Sequence, residues 1–248
     1  MSFQGKHVWI IGASTGIGLA LAKELSLKGA ILALSARDAE KLGTLRHQIG
    51  LHHHVLPLDV TNLVEFIAVA NQVRNVFKKI DSIIYLAAVY QPMSLLELDS
   101  EMTASIVNTN LNGPLNLIQA ITPLIKSKAI SQIALCGSVA GYCGLPNGQP
   151  YSATKAAVIN LAQSLRAELP NDIDIKLISP GFVRTALTDK NKFKMPMIIE
   201  PEQAAKEIAN GLLKDKFEIH FPKRFSLITK LVSILPYKIY FKIIENFK

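Results

Sequence analysis

The feature of this sequence that most restricts its fold is an alternation of short apolar runs with longer segments of helical periodicity. Two of the runs, residues 31–34 and 83–86, are apolar without interruption, as expected for strands that are buried on both faces. Such an alternation is typical of a parallel sheet flanked by helices. The sequence therefore predicts an α/β fold, a single doubly wound parallel sheet of about seven strands with helices on both faces, in the strand order 3-2-1-4-5-6-7.

The predicted elements follow one another regularly along the chain. The strands are expected at residues 7–11, 30–35, 54–58, 82–87, 131–136, 173–179 and 217–221. The helices are expected at residues 16–28, 39–48, 63–78, 101–126, 151–169 and 201–213. No repeat, low-complexity tract or linker marks a second domain, so residues 1–222 are interpreted as one domain that is followed by an extension at 223–248.

Composition and cysteine spacing limit how this fold is stabilised. With 49% apolar residues among 248, the chain has enough material for a large core without disulfides or a structural metal. Cys136 and Cys143 form neither a CxxC pair nor a zinc-binding pattern, which favours free thiols in a reducing compartment. Because no secretory signal opens the chain, a cytoplasmic location is expected.

Three consecutive histidines, His52, His53 and His54, are the most conspicuous candidate metal ligands. They precede the third predicted strand and are expected in an exposed loop. Consecutive side chains of an extended chain point to opposite sides, so three in a row do not readily converge on one ion. No metal site is predicted.

A glycine-rich segment connects the first predicted strand to the first predicted helix. Gly12 would permit a tight turn, Gly16 would let the backbone approach a pyrophosphate, and Gly18 would allow the helix to pack closely on the sheet. Exposed N–H groups at the start of the helix would face the phosphate charge. This is a Rossmann-like pattern for a dinucleotide, and the residues expected to contact the cofactor here are Gly12, Ser14, Thr15, Gly16, Ile17 and Gly18.

The choice between NAD and NADP is expected at the end of the second strand, where an acidic side chain would bind the ribose 2′-hydroxyl of NAD. Ala36 occupies the expected position of that acid, and Arg37 follows it. A guanidinium suits a 2′-phosphate through paired, charge-assisted hydrogen bonds, so NADP(H) is preferred over NAD(H). Two alternatives stay open: Asp38 contacts the ribose if the register differs by two residues, or Arg37 is an ordinary surface charge.

A tyrosine and a lysine open the helix predicted at residues 151–169. Tyr151 and Lys155 lie on the same helical face at this spacing, and Ser138 precedes Tyr151 by thirteen residues. A phenol titrates near ~10 in water, so it acts as an acid or base near neutrality only when its phenolate is stabilised. An ammonium one helical turn away favours that anion by charge attraction. The spacing alone is common by chance, so the assignment depends on its companions.

Further motifs accompany this pair in the order of one enzyme family. They are the 12–18 loop, Asp59-Val60, the 110–113 segment that starts with Asn110, the 137–141 segment that contains Ser138, the 151–155 segment and the 180–185 segment. Over roughly its whole length the chain resembles a short-chain dehydrogenase/reductase. The resemblance implies an enzyme that acts on CH–OH or C=O groups with NAD(P), and it makes residues 1–222 the NAD(P)-binding catalytic domain.

The resemblance also implies roles for the matching residues. Tyr151 would be the general acid/base, Ser138 would orient the substrate oxygen, and Lys155 would lower the tyrosine pKa and bind the nicotinamide ribose. Asn110 would hold a water that relays protons between Lys155 and solvent. The remaining cofactor contacts implied in this way are Asp59 and Val60 at the adenine, Pro180, Gly181, Val183 and Thr185 at the nicotinamide and phosphates, and Ala87.

The chain departs from the family pattern in two places. Ile11 stands before the first glycine in place of the usual threonine, and Tyr85-Leu86-Ala87-Ala88 stands in place of Asn-Asn-Ala-Gly. The second change removes polar side chains that brace the central sheet, and it adds a Cβ where the backbone approaches the cofactor. It removes no proton-transfer group.

The segments expected beside Tyr151, at the carboxyl edge of the sheet, are apolar. They supply Tyr142, Cys143, Leu145, Phe182 and residues 193–199. Such a pocket favours a small hydrophobic carbonyl or alcohol substrate over a sugar.

The end of the chain is both basic and apolar. From Lys214 to Lys248, eight basic residues stand against three acidic ones, a net charge of +5. Apolar residues recur there at roughly helical spacing, namely Leu227, Leu231, Leu235, Tyr240, Ile243 and Phe247. Lysines and Pro236 interrupt the segment too often for it to span a bilayer. It is expected to lie on a membrane surface as a peripheral contact, to pack on a partner subunit, or to cover the substrate cleft.

Together these patterns predict an NADP(H)-dependent oxidoreductase that reduces a hydrophobic ketone or aldehyde, or oxidises the corresponding alcohol. Reduction of a 3-oxoacyl thioester is an enzymatic alternative, because a basic surface attracts an acidic carrier protein. A non-catalytic NADP-binding sensor or membrane-surface scaffold is the alternative that Leu86 and Ala88 favour. The resemblance implies a homo-oligomer, and no nucleic-acid partner is expected.

Overall fold

Seven strands form the centre of the computed structural model, which describes residues 2–191 and 193–245. They are β1 (His7–Ile11), β2 (Ile31–Ser35), β3 (His54–Val55), β4 (Ser82–Tyr85), β5 (Gln132–Cys136), β6 (Asp174–Pro180) and β7 (Glu218–Phe221). All neighbouring strands are parallel, in the order β3-β2-β1-β4-β5-β6-β7. The predicted fold class and strand order are confirmed. The third strand is shorter than expected, although Leu56 and Leu58 still donate backbone hydrogen bonds to Leu34 and Ala36.

Helices cover both faces of this sheet. They are α1 (Gly16–Leu27), α2 (Ala39–Ile49), α3 (Leu63–Val76), α4 (Ser100–Val107), α5 (Gly113–Lys126), α6 (Tyr151–Glu168), α7 (Pro201–Leu212), α8 (Lys223–Ser233) and α9 (Tyr237–Ile244). Alternate residues of β1 separate the two cores: Trp9 packs with α3 and α5, whereas Ile10 packs with α1 and α7. The Trp9 indole N–H donates to the buried Ser35 hydroxyl at 2.9 Å, so the one polar atom of this core indole is satisfied.

The helix predicted at residues 101–126 is divided. A π turn, Asn108–Asn112, joins α4 to α5. Pro114 has no amide hydrogen, so the carbonyl of Asn110, four residues earlier, lacks the donor that a continuous α-helix would provide. The Gly113 N–H donates across the π turn to the Asn108 carbonyl. Such turns inside helices frequently mark functional sites.

The C-terminal extension is folded against the sheet edge as far as the described residues reach. Lys230 of α8 forms a salt bridge with Glu218 of β7, and the Tyr240 hydroxyl of α9 donates to the Gly144 carbonyl. The buried Ser226 hydroxyl hydrogen-bonds to His220 Nδ1 at 2.6 Å. Phe247, part of the predicted apolar pattern, lies outside the described residues. Within residues 2–191 and 193–245, no helix has the length and apolar character needed to cross a bilayer.

The histidine triplet is not in a uniformly exposed loop, which corrects the expectation for this segment. His52 is exposed, but His53, in the bend just before β3, is only 1% exposed because its ring packs inward against β2 and α1. His53 Nδ1 accepts from the Leu32 N–H at 3.1 Å, so the ring proton resides on Nε2, 2.9 Å from the Ser26 hydroxyl oxygen. The Ser26 hydroxyl in turn donates to the Ile49 carbonyl. Both ring nitrogens are thus used for structure.

The buried His53 makes the stability of the fold depend on pH. Burial lowers the pKa of His53 from 6.5 to about 4, so the unfolded chain takes up a proton before the folded chain does. The stabilisation is complete above pH 6.5 and is lost as the pH falls toward 4. We expect the free energy of unfolding to fall by about 2 kcal/mol through this group between pH 7 and pH 5.

Urea unfolding of wild type and His53→Gln at both pH values measures this change in the free energy of unfolding. His47→Gln, at an exposed position on α2, should keep the wild-type dependence, and superimposable pH dependences for all three proteins would contradict the assignment.

Candidate active site

A single cavity of about 1810 Å³ collects nearly all the side chains that the sequence singles out. Its walls include the segments that follow the carboxyl ends of β1, β2, β3, β4, β5 and β6. The predicted site residues that line it are Gly12, Ser14, Thr15, Gly16, Ile17, Gly18, Arg37, Asp59, Val60, Ala87, Ser138, Tyr151, Lys155, Pro180, Gly181, Val183 and Thr185. Asn110 does not line the cavity, but its neighbour Thr109 does.

The glycine loop has the shape that a pyrophosphate requires. Gly12 has a φ of +93°, and a Cβ on it would lie 2.6 Å from the Ala87 backbone nitrogen. A Cβ on Gly18 would lie 2.0 Å from the Gly12 carbonyl oxygen, so α1 approaches the strand more closely than any side chain allows. Thr15 precedes α1 without a side-chain cap hydrogen bond, which leaves first-turn N–H groups directed at the cavity. These residues fit a dinucleotide phosphate.

The charges at the end of β2 separate into a paired and an unpaired group. Asp38 accepts from the Lys41 backbone N–H at 3.0 Å and forms a 2.7 Å salt bridge with its ammonium. These hydrogen bonds from Lys41 lower the pKa of Asp38, whose carboxylate is committed to capping α2. Arg37 is exposed at the cavity wall and has no hydrogen-bond or ion-pair partner among the described residues. Lys41 also lines the wall. Sequence analysis missed it, because only its position three residues after the α2 cap Asp38 brings it there, and no motif marks that position.

The part of the wall that the resemblance assigns to the adenine is formed by the loop after β3. Asp59 Oδ1 accepts from both the backbone N–H and the hydroxyl of Thr61, at 2.9 and 2.8 Å. The helix cap of α3 is Asn62, not Asp59, since Asn62 accepts from the Glu65 N–H. Val60 is buried beside it. On the opposite wall, the Thr185 N–H donates to Thr188, which holds the 180–185 loop in a closed turn.

Ser138, Tyr151 and Lys155 meet at the centre of the cavity. Tyr151 is the first residue of α6, and the Lys155 nitrogen lies 5.5 Å from the centroid of its ring. The buried Lys155 ammonium donates to the Cys136 carbonyl at 2.8 Å, and the Ser138 hydroxyl lies 3.3 Å from the Pro180 carbonyl oxygen, to which it donates. A glycine at position 141 is essential to this arrangement, because a Cβ there would lie 2.7 Å from the Lys155 backbone carbonyl carbon.

Burial dominates the titration of these groups. Burial raises the pKa of Tyr151, and hydrogen bonding with the Ser138 hydroxyl only partly opposes this. Burial likewise lowers the pKa of Lys155. The lowered tyrosine pKa that the resemblance implies is therefore not found among these side chains alone. The phenol is held in its protonated form near neutrality.

Asn110 is fixed beside this group by the segment after β4. Its side-chain oxygen accepts from the Val89 N–H at 2.8 Å, and its amide nitrogen donates to the Val89 carbonyl at 2.9 Å. The same nitrogen lies 3.3 Å from the Thr154 hydroxyl of α6. The Asn110 side chain thus connects the π turn to the segment after β4 and to α6. The Asn110 backbone carbonyl receives no hydrogen bond from residue 114, because Pro114 has no N–H.

The substituted segment after β4 keeps a brace of a different kind, which corrects the expected loss. The buried Tyr85 hydroxyl donates to the Thr109 carbonyl of the π turn at 2.7 Å. Gly113 makes room for it, since a Cβ there would lie 2.1 Å from the phenol oxygen. Leu86 packs in the core on the α1 side. The missing asparagines are thus replaced by one long polar side chain.

The remaining wall is apolar and includes the C-terminal helices. Of the residues predicted there, Cys143, Leu145, Phe182 and Phe193 line the cavity. Tyr142 does not, because its hydroxyl donates to Glu218 and it faces a smaller cavity instead. Lining residues that sequence analysis did not name include Tyr90, Phe225, Ile228, Val232 and Ile244. Ile243, from the C-terminal apolar pattern, also lines the cavity, in line with the expectation that this segment covers the cleft. Tyr90 packs edge-on against Tyr151, with 4.8 Å between ring centroids. No local motif marks these positions, because only the tertiary fold brings the 223–244 segment over the cleft.

Comparison with known proteins agrees with this geometry. The family model described as short chain dehydrogenase matches residues 6–195. An oxidoreductase of Staphylococcus haemolyticus, itself uncharacterized, is 32% identical over 84% of this chain and 91% of its own length. A 3-oxoacyl acyl-carrier-protein reductase of Haemophilus influenzae is 30% identical over 75% of this chain and 77% of its own length.

Solved structures show the same fold. A short chain dehydrogenase of Burkholderia cenocepacia in complex with NADP superposes with a TM-score of 0.85, at 22% identity, over 98% of each chain. One of Burkholderia phymatum in complex with NAD gives a TM-score of 0.82, at 22% identity, over 93% of this chain and 94% of the other. The chain belongs to the short-chain dehydrogenase family of NAD(P)-binding oxidoreductases.

Proposed function

We propose that this oxidoreductase uses NADP(H) to reduce a ketone or aldehyde on a hydrophobic substrate, or to oxidise the corresponding alcohol. The observation that carries the proposal is the position of Ser138, Tyr151 and Lys155 between a glycine-lined end and an apolar end of one cavity. NADPH, when bound, supplies a hydride to the carbonyl carbon. The residues Gly12, Gly16 and Gly18 would hold its pyrophosphate.

The protein supplies the proton. We assign Tyr151 as the general acid, because its phenol is protonated near neutrality and it lines the cavity together with Ser138 and Lys155. The Ser138 hydroxyl, which donates to the Pro180 carbonyl in this structure, would orient that oxygen by turning its proton toward it. After proton transfer the phenolate would be stabilised by the Lys155 charge, which lies 5.5 Å from the ring centroid. Asn110 contacts Thr154, the residue before Lys155 in α6, and a relay from Lys155 to solvent would start there.

The cofactor preference rests on Arg37. Its exposed guanidinium is available at the cavity wall, whereas the carboxylate of Asp38 is used by Lys41. A 2′-phosphate would gain paired, charge-assisted hydrogen bonds from Arg37 and a second positive charge from Lys41. A ribose 2′-hydroxyl would find no uncommitted acidic partner at the end of β2.

A more specific substrate is favoured by one comparison. The relative from Haemophilus influenzae is named a 3-oxoacyl acyl-carrier-protein reductase, and this chain carries a net charge of +8 that would attract an acidic carrier. Reduction of a 3-oxoacyl thioester is therefore our second candidate. A sensor or scaffold without catalysis is the third, and the intact Ser138, Tyr151 and Lys155 weigh against it.

Domain organisation and assembly also remain proposals. We assign residues 1–222 to the catalytic domain and residues 223–248 to a helical extension that completes the substrate cavity. A homo-oligomer and a cytoplasmic location are expected as before.

Removal of the phenol hydroxyl should separate catalysis from binding. In Tyr151→Phe we expect kcat for a hydrophobic ketone to fall by about a hundredfold to ten-thousandfold, because the proton donor is lost. The Kd for NADPH, measured by nicotinamide fluorescence, should stay within about threefold of wild type, since no phosphate contact changes. Tyr237→Phe, at an exposed position on α9, is the matched control and should be fully active. Unchanged turnover in Tyr151→Phe would eliminate the proposed acid.

Arg37→Ala should change cofactor selectivity. We expect NADPH binding to weaken by about tenfold to a hundredfold, the worth of a lost charge-assisted pair, while NADH binding stays the same. Arg74→Ala, which removes an exposed arginine on α3 away from the cavity wall, serves as the control. Equal weakening for both cofactors would mean that Arg37 does not read the 2′-phosphate.

The two enzymatic candidates differ in substrate and in salt dependence. If a simple hydrophobic ketone is the substrate type, its kcat/KM should exceed that of a 3-oxoacyl thioester on a carrier protein and should change little with salt. Steady-state assays at low and high ionic strength measure both. A higher kcat/KM for the carrier-bound thioester that falls steeply with salt would instead establish the second candidate.

A further inference from the structure

The C-terminal helix pair presents a row of exposed apolar side chains. Leu227, Leu231 and Ile234 are 56% to 78% exposed, at the three-to-four-residue spacing of one helix face. Tyr237 and Phe241, four residues apart on one side of α9, are also exposed apolar side chains. We call the surface formed by these five residues the α8–α9 face. Exposed apolar side chains grouped in this way indicate an interaction site.

The α8–α9 face is held in place by other side chains of the two helices. Lys230 is paired with Glu218, and the Tyr240 hydroxyl donates to the Gly144 carbonyl. Phe225 packs against Phe182 of the cavity wall, with 5.3 Å between ring centroids. The exposed row is therefore a fixed surface of the folded protein.

The substrate cavity reaches the surface beside this face. Ile228, between Leu227 and Leu231 in sequence, is 53% exposed and at the same time lines the cavity. Val232 and Ile243 line it from the same two helices. Apolar side chains of α8 and α9 therefore contribute both to the exposed face and to the cavity that contains Tyr151.

Basic charges predominate around the face. Exposed basic side chains at Lys223, Arg224, Lys238 and Lys242 flank the apolar row. The two acidic residues at its borders are Glu218, which pairs with Lys230, and Glu245, at the end of α9. Apolar side chains bordered by lysines match the interface of a bilayer that contains anionic lipids, with the lysines at the headgroups. Two-fold pairing with a second copy would instead place basic groups against basic groups, which is unfavourable.

We propose that the α8–α9 face lies on the surface of an anionic lipid bilayer, and that the substrate is an apolar carbonyl compound dissolved in that bilayer. The membrane contact stands independently of catalysis, whereas the substrate class rests on the proposed function. The bilayer would deliver the substrate directly to the mouth of the cavity at Ile228.

The test is sedimentation of the full chain with vesicles of phosphatidylcholine alone or mixed with phosphatidylglycerol. The variant Leu227→Ser/Leu231→Ser/Ile234→Ser changes the face without touching the cavity wall. The control Leu27→Ser/Leu51→Ser/Val64→Ser removes three apolar side chains, 65% to 86% exposed, from other parts of the surface. Circular dichroism and thermal unfolding establish that both variants are folded.

We expect wild type and control to bind the anionic vesicles. The partition coefficient of the α8–α9 variant on these vesicles should be lower by about tenfold or more, and added salt should lower the partition coefficient of the wild type. Equal binding of all three proteins, equal binding to neutral vesicles, or no binding at all would overturn the proposal. A wild-type oligomer that dissociates in the α8–α9 variant, without vesicle binding, would show that the face is an interface between copies.

The substrate class is tested separately. With a long-chain ketone embedded in anionic vesicles, the α8–α9 variant should turn over at least about tenfold more slowly than the control, while both should have equal kcat/KM on a short water-soluble ketone. Equal rates on the embedded ketone would overturn the substrate class. If vesicles bind but wild type reduces neither ketone, the proposed function has failed and the membrane contact has not.

Discussion

The architecture of the site depends on the close approach of three backbone segments at the carboxyl end of β1. Gly12 contacts the segment after β4, and Gly18 brings α1 against the Gly12 carbonyl. Neither approach tolerates a Cβ, so the two glycines are required by contact distance and not only by conformation. Because α1 starts directly after the loop that contains Gly12, its first N–H groups lie at the cavity wall. The other walls of the cavity face this helix start.

A second close approach sets the centre of the cavity. The turn after β5 carries Ser138 and touches the α6 backbone at Gly141, while α6 carries Tyr151 and Lys155. The hydroxyl, the phenol and the ammonium are therefore positioned by backbone packing. Burial disfavours the charged form of each group, so it raises the pKa of the Tyr151 phenol and lowers the pKa of the Lys155 ammonium.

Most of the fold was predictable because strands and helices leave periodic traces in the sequence. The site residues were predictable where a motif fixes them locally, as in the 12–18 loop and the Tyr151–Lys155 spacing. The π turn at Asn110 was not predicted, although its physical cause, the missing amide hydrogen of Pro114, is visible in the sequence. Side chains whose positions depend on distant segments were missed or misplaced: Tyr142 turns away to Glu218, and Tyr85 reaches the Thr109 carbonyl in a way that no local pattern indicates. His53 is similar, since its burial follows from contacts with Leu32 and Ser26.

The two ends of the cavity are encoded in different parts of the chain. The nucleotide end is made by segments that follow β1, β2 and β3, whereas much of the apolar roof comes from α8 and α9, after the last strand. Insertions, truncations or replacements at the C-terminus can therefore reshape what the cavity admits while leaving the glycine loop and the proton-transfer group unchanged. The C-terminal helices can therefore differ between relatives that share the nucleotide end. For the same reason, homology in the first part of the chain carries little information about the substrate.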